Sequence, residues 1–81
     1  MSDNIGKLRE VFASALDIPK EKIVNEIEYN TIPEWDSIAH MQLVAKIEEA
    51  FDIMMETDDI IAMSSFGKSV EILKKYGILF I

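Results

Sequence analysis

The sequence predicts an all-α fold, a small four-helix bundle of three main helices plus one short helix, with a long first loop. Three observations carry that prediction: apolar residues recur at helical spacing in three separate stretches, no stretch reads as a convincing strand, and the chain has only 81 residues. A chain of this size is expected to form a single domain, residues 1–81, and to bury roughly 60 to 65% of the surface its unfolded form exposes. Such a core leaves little room for a deep, self-contained active site.

The first periodic segment covers residues 4–16, where Ile5, Leu8, Val11, Phe12, Ala15 and Leu16 fall on one side and Ser2 or Asp3 is available as the cap. Asp17-Ile18-Pro19 ends it, because a proline disfavours helical geometry in the residue before it. Residues 19–36 show no sustained period. Their isolated apolar residues, Ile23, Ile27, Tyr29 and Ile32, stand among Asn25, Asn30 and Pro33, which reads as a long loop pinned to the bundle by those side chains. Long loops are uncommon in compact domains and are often functional.

Asp36-Ser37 opens the clearest helix, residues 37–51. Leu43, Val44, Ile47, Ala50 and Phe51 form one stripe on it, while Ile38, Met41 and Ala45 lie on a different side. A bundle this small can bury only one stripe of a helix fully. The second, beginning beside Ser37, is therefore a candidate partner surface, the alternative being an unusually well-buried helix. After residues 52–56, Thr57 can cap a short helical piece, residues 58–62, whose first-turn acids suit the positive end of the helix dipole. A last helix begins near Ser65, buries Phe66, Val70, Leu73 and Tyr76, and stops at Gly77. A monomer is expected, although the apolar run 78–81, which has no obvious partner, leaves self-association open.

Composition narrows the function. Hydrophobic residues make up 49% and charged residues 28%, the balance of a soluble globular domain rather than a disordered one. With no cysteine, neither a disulfide framework nor a thiolate metal site is possible, and any thiol chemistry must be imported. Residues 1–7 are polar and no apolar run approaches the roughly 20 residues that cross a bilayer, so no membrane insertion is expected and the cytoplasm is the default location. The formal charge of −7 repels nucleic-acid phosphates and favours basic protein surfaces, although acidity alone also keeps a small domain in solution.

Signatures of catalysis are absent: no glycine-rich phosphate loop, no helix with metal-spaced histidines, no acidic calcium loop. The single histidine, His40, stands three residues after Ser37, and the pair could touch on a helix surface. Nucleophilic hydrolysis also needs an oxyanion hole and a pocket, which this length hardly supplies. The expectation is that His40 is a solvated surface residue, that no residue is catalytic, and that the chain is not an enzyme.

What remains is Trp35-Asp36-Ser37-Ile38-Ala39-His40-Met41. Asp-Ser before a helix is most often a cap, but here its context resembles the acyl carrier proteins over nearly the whole chain. The serine of an Asp-Ser-Leu-like motif in that family corresponds to Ser37 in Asp36-Ser37-Ile38. Ile47-Glu48-Glu49-Ala50-Phe51-Asp52-Ile53 looks like the family's ending of that helix, and the Thr57-Asp58-Asp59 piece and last helix follow in the expected order. The resemblance implies the acyl-carrier-protein type of bundle. It also implies that a phosphopantetheinyl transferase moves a 4'-phosphopantetheine arm from coenzyme A onto Ser37, and that the arm's thiol holds acyl cargo for acyl-activating or acyl-transferring enzymes. A phosphodiester at Ser37 would meet unpaired backbone amides and the positive end of a helix dipole, a natural place for an anion. Asp36 then positions the serine, engages the transferase, or only caps the helix, while Trp35 anchors the loop end.

The resemblance frays where partners dock. Many fatty-acid-synthesis carriers resemble one another in acidic residues at the second and fifth positions after the serine; here those are Ala39 and Gln42. Ile38, Ala39, Met41, Gln42, Ala45, Glu48 and Glu49 are the candidate partner-binding residues, an apolar start followed by an acidic end. This points to a specialised carrier of a secondary-metabolite, cell-envelope or aminoacyl pathway. Met41, Met54, Met55 and Met63 could receive an acyl cargo between helices, with ordinary core filling the expected role. Competing readings are a peptidyl or aminoacyl carrier with the same arm, an unmodified acidic helical interaction module in which Ser37 only caps, and, remotely, a minimal hydrolase.

Overall fold

The computed structural model describes residues 3–80, and in them four α-helices follow in chain order: α1 (Asn4–Leu16), α2 (Ser37–Phe51), α3 (Thr57–Ala62) and α4 (Phe66–Lys75), with a 3₁₀ turn at Lys20–Lys22. The all-α bundle and its three-plus-one arrangement agree with the sequence reading. Ser2, one of the two cap candidates for α1, and Ile81 lie outside the described residues. The other candidate, Asp3, does cap α1: its Oδ1 accepts from the Gly6 N–H at 3.1 Å. Gly6 leaves room for that carboxylate, since a Cβ there would collide with it.

Three helices end in one way, which the sequence reading anticipated at Gly77 but not at the two aspartates. Asp17 (φ 56°), Asp52 (φ 54°) and Gly77 (φ 87°) turn left-handed, and the isoleucine after each donates its N–H back five residues, Ile18 to Ala13 O, Ile53 to Glu48 O and Ile78 to Leu73 O, at 3.1 to 3.2 Å. Ile18, Ile53 and Ile78 also pack against the core, the apolar contact that accompanies this kind of helix end. Aspartate is one of the few non-glycine residues that visits this region. The end of α1 is therefore built by Asp17, one residue earlier than the proline effect on Ile18.

The core is one cluster with an aromatic centre. Phe12 of α1 meets the Trp35 ring edge-on at 5.5 Å between centroids and the Phe66 ring at 4.9 Å, so one side chain joins α1, the end of the long loop and the start of α4. All three rings are fully buried. Leu8 and Leu16 of α1 and Leu43, Val44 and Ile47 of α2 fill the interface of the two long helices, and Ile72 and Leu73 of α4 close the other side. On α4 the expected Phe66 and Leu73 are buried, but Val70 and Tyr76 are only partly so, and Ser69 and Ile72 take the interior positions. Ser69 tolerates full burial because its hydroxyl donates to the Phe66 carbonyl at 2.6 Å.

The long loop is pinned by Ile23 and Ile27 as expected, while Ile32 is half-buried and Tyr29 is exposed. Much of the pinning is by backbone rather than side chain. Tyr29 N–H donates to Ser64 O, Phe66 N–H to Ile27 O and Gly67 N–H to Asn25 O, laying residues 25–29 along residues 64–67 with one bridge, Glu28 to Ser65. At α3 the expectation also fails in detail: Thr57 is the first helical residue, and Glu56 occupies the cap position without a side-chain bond. Residues 78–80 are not left unpartnered, since Ile78 and Phe80 pack on the core and Asn4 donates to Leu79 O at 2.8 Å.

The hub role of Phe12 sets a measurable cost. Phe12→Ala should lower unfolding free energy by about 3 to 5 kcal/mol, a large share of what so small a domain holds, and urea denaturation followed by circular dichroism reads it. A loss below about 1 kcal/mol would show that the aromatic centre does not hold the bundle.

Candidate functional site

Two adjacent residues divide the work at the start of α2. Asp36 takes an extended conformation and its Oδ1 accepts the Ala39 N–H at 2.9 Å, so the aspartate is the cap. Ser37 is the first helical residue and is exposed, with its hydroxyl not used for capping. The reading of Ser37 as a mere cap fails for that reason. Its hydroxyl stands beside the first-turn amides and the positive end of the dipole of a 15-residue helix.

What fixes this position is the residue before the pair. The Trp35 indole is sealed in the core against Phe12, while the residue's backbone N–H donates to Ile32 O at 3.1 Å and its backbone carbonyl accepts from the Asn30 N–H at 2.9 Å. The loop end therefore cannot drift. The indole Nε1–H donates to His40 Nδ1 at 3.0 Å, and His40 Nε2 lies 2.9 Å from the Ile60 carbonyl. Trp35 can only donate and a carbonyl can only accept, so Nδ1 must be bare and Nε2 must carry the proton. His40 is thus half-buried and doubly engaged, not the solvated residue expected from sequence. With both nitrogens committed it has none to offer Ser37 as a base, which removes the structural support for a hydrolase.

Beside Ser37 lies an apolar-walled cavity of about 320 Å³ between the first turns of α2, the helix α3 and Tyr29 of the loop. Ser37, His40 and Met41 line one side, Ile60 and Ile61 the other, and Met63 also borders it. Of the methionines singled out by sequence, Met55 and Met63 are core residues, whereas Met41 and Met54 are exposed.

The candidate partner residues separate by position. Ile38 is 71% and Met41 59% exposed, and with Gln42, Ala45 and Glu49 they share one solvent-facing side of α2. Ile61 of α3, 75% exposed, adds another apolar side chain at the cavity. Ala39 is half-buried against the core, and Glu48 is half-buried with its Oε2 accepting the Met55 N–H at 2.9 Å. Glu48 and Glu49 sit about 17 Å along the helix from Ser37. Of the candidate partner residues, the exposed apolar ones therefore lie near the serine and Glu48 and Glu49 are remote from it.

Sequence reasoning missed the polar network that holds α3. Lys75 Nζ donates to Asp59 Oδ1 at 2.6 Å, the Tyr76 hydroxyl donates to Asp59 Oδ2, and the same hydroxyl accepts the Glu56 N–H at 2.9 Å. The bonds from Lys75 and then Tyr76 hold the Asp59 carboxyl below its ordinary value, against an opposing effect of burial. The bond to Asp59 raises both Lys75 and Tyr76.

Against known proteins the chain is similar to curated acyl carrier proteins. The acyl carrier protein of Buchnera aphidicola from Schizaphis graminum is 29% identical over 65 residues, 80% of this chain and 82% of that protein. The one from Buchnera aphidicola of Acyrthosiphon pisum (strain APS) is 26% identical over 69 residues, 85% and 86% of the two chains. That of Lactobacillus johnsonii is 24% identical over 70 residues, 86% and 88%. No family profile matches the chain. These relatives support the acyl carrier protein family, and their names describe carriers rather than enzymes. No helix among the described residues is long and apolar enough to cross a membrane.

The Asp59 network carries its own pH signature. A carboxyl whose folded value is depressed stabilises the fold above the unfolded value, about 4, and that contribution is lost as pH falls through the folded value. Melting temperature should therefore drop as pH is lowered from 5 through 4 and below, and Asp59→Asn should flatten that part of the profile while lowering the plateau at pH 7. Equal slopes in both proteins would show that the network does not form.

Proposed function

We propose that this acyl-carrier-type chain holds a 4'-phosphopantetheine arm on Ser37 and presents thioester-bound acyl cargo to successive partner enzymes. The observation that carries the reading is the exposed, uncapped hydroxyl of Ser37 at the first turn of α2, with Asp36 doing the capping instead. A phosphopantetheinyl transferase would join the Ser37 oxygen to the phosphate of the arm, with the nucleotide portion of coenzyme A as leaving group. The phosphodiester would then sit against the first-turn amides, where an anion is favoured. The bound arm supplies the thiol that a chain without cysteine lacks. Its flexible length raises the local concentration of cargo at each enzyme site, and the chain itself contributes the tether point and the docking face.

Docking on partners would be chiefly apolar. Ile38 and Met41 are the exposed apolar side chains beside the serine, and Ala39 and Gln42 stand where fatty-acid-synthesis carriers resemble one another in acids, which supports a specialised acyl or aminoacyl pathway. The net charge of −7 still steers the chain toward basic partners at long range, and salt would slow that encounter more than it loosens the complex. A single domain, a monomer and a cytoplasmic setting complete the proposal.

Intact-mass measurement after incubation with coenzyme A and a broad-specificity transferase should show one arm added to the wild-type chain and none to Ser37→Ala. Absence of any gain in the wild type would reject the carrier reading and leave an unmodified interaction module. For docking, Ile38→Asp or Met41→Asp should weaken binding to a cognate enzyme about tenfold, as expected for an apolar anchor worth about 1.4 kcal/mol. Binding that instead collapses with added salt and ignores both substitutions would place the contact on the acids.

A further inference from the structure

We infer that His40 is a positioning residue that latches α3 to the first turns of α2 and so sets the surface an enzyme meets at Ser37, an inference that rests on Ser37 being the loaded residue. The observation is the two-sided engagement of one imidazole. Nδ1 takes the indole proton of Trp35 at 3.0 Å and Nε2–H is given to the Ile60 carbonyl at 2.9 Å, which fixes the ring's tautomer and both of its neighbours. One side of this relay is the residue preceding the Asp36-Ser37 pair; the other is the middle of α3.

The helix α3 needs such ties. It has six residues, fewer than a helix needs to persist alone in water, so its place depends on contacts with the rest of the molecule. Its other polar ties, from Asp59 to Lys75 and Tyr76, all lead to the end of α4. The Ile60 carbonyl on His40 is the hydrogen bond that runs from α3 to α2, and it spans the cavity that Ser37, Met41 and Ile61 also line. Releasing it leaves α3 anchored on the α4 side alone, with the wall facing Ser37 free to move.

The chemistry of the ring makes the claim separable from a general loss of stability. Glutamine can place an amide N–H where Nε2 lies, keeping the bond to Ile60 and losing the one to Trp35; asparagine can place its oxygen where Nδ1 lies and does the reverse. Both remove one hydrogen bond. If the bond to α3 is what matters, the two variants must differ even though their melting temperatures fall alike.

The experiment uses the full chain as wild type, His40→Gln, His40→Asn and His40→Ala, with two readouts. Amide hydrogen exchange at Ile60 and Met63, whose N–H groups bond to Glu56 O and Asp59 O, reports α3 directly. Loading by a phosphopantetheinyl transferase with coenzyme A gives kcat and the KM for the carrier. In His40→Ala and His40→Asn we expect α3 exchange to quicken and KM to rise by about three- to tenfold, the loss of the neutral hydrogen bond to Ile60 that both variants share, with kcat unchanged. His40→Gln should restore both toward wild type. Exchange in α3 that is unaffected by His40→Ala, a Gln variant no better than Asn, or a KM that follows melting temperature across all three variants would overturn the latch. A wild-type chain that is never loaded would instead sink the Ser37 reading, while the exchange data would still decide the latch.

Discussion

Burial of the Trp35 indole is the constraint from which the site descends. A ring of that size contributes most when fully enclosed, and enclosing its N–H without a partner would cost on the order of 1 to 3 kcal/mol. The partner is His40, five residues on, which the first helical turns of α2 bring back over the loop end. That requirement ties the end of a long loop to a helix start at a fixed distance, and Asp36 and Ser37 are the residues caught between them. The exposed hydroxyl of Ser37 is thus held by its buried neighbour rather than by any bond of its own. The same imidazole then passes the constraint to Ile60, so a packing demand in the core fixes the helix across the cavity.

The parts of this structure that were legible in the sequence are those set by local pattern. The limits of α1 and α2 follow from apolar spacing, and the outward turn of Ile38, Met41 and Ala45 follows from a second stripe that one bundle interface cannot cover. Gly77 announced the end of α4 because only a few residue types go left-handed without cost. Asp17 and Asp52 did the same work unannounced, since aspartate is ordinary on any surface.

What the sequence could not convey is which residue meets which across the chain. The bonds between residues 25–29 and 64–67 use backbone groups, which every residue carries, so no side chain marks them. His40 looked solvated because its second partner is a carbonyl twenty positions away, invisible to any motif. Asp36 and Ser37 are both good caps, and sequence alone could not say which would cap and which would be left with an idle hydroxyl. The answer depends on the angle at which the loop enters α2, and that angle is dictated by Trp35. Thr57 failed as a cap for a related reason: the Glu56 N–H is already claimed by the Tyr76 hydroxyl, which fixes the entry to α3 one residue earlier.

The two sides of α3 are held by different chemistry, and that difference bears on how a small bundle can be firm at one point and yielding at another. Toward α4 the tie is an ionised carboxylate bonded to an ammonium and a phenol, and bonds to charged groups are roughly twice as strong as neutral ones. Toward α2 it is one neutral imidazole bond to a carbonyl, beside a cavity with few atoms to fill it. When thermal motion opens α3 it should therefore swing from the α4 side, widening the wall next to Ser37 while Met63 and Phe66 stay in the core. The attachment point itself sits on the opposite wall, fastened through Trp35 to the aromatic centre. A tether fixed to the rigid wall and facing the movable one can keep its base in register for an approaching enzyme while the surface beside it adapts.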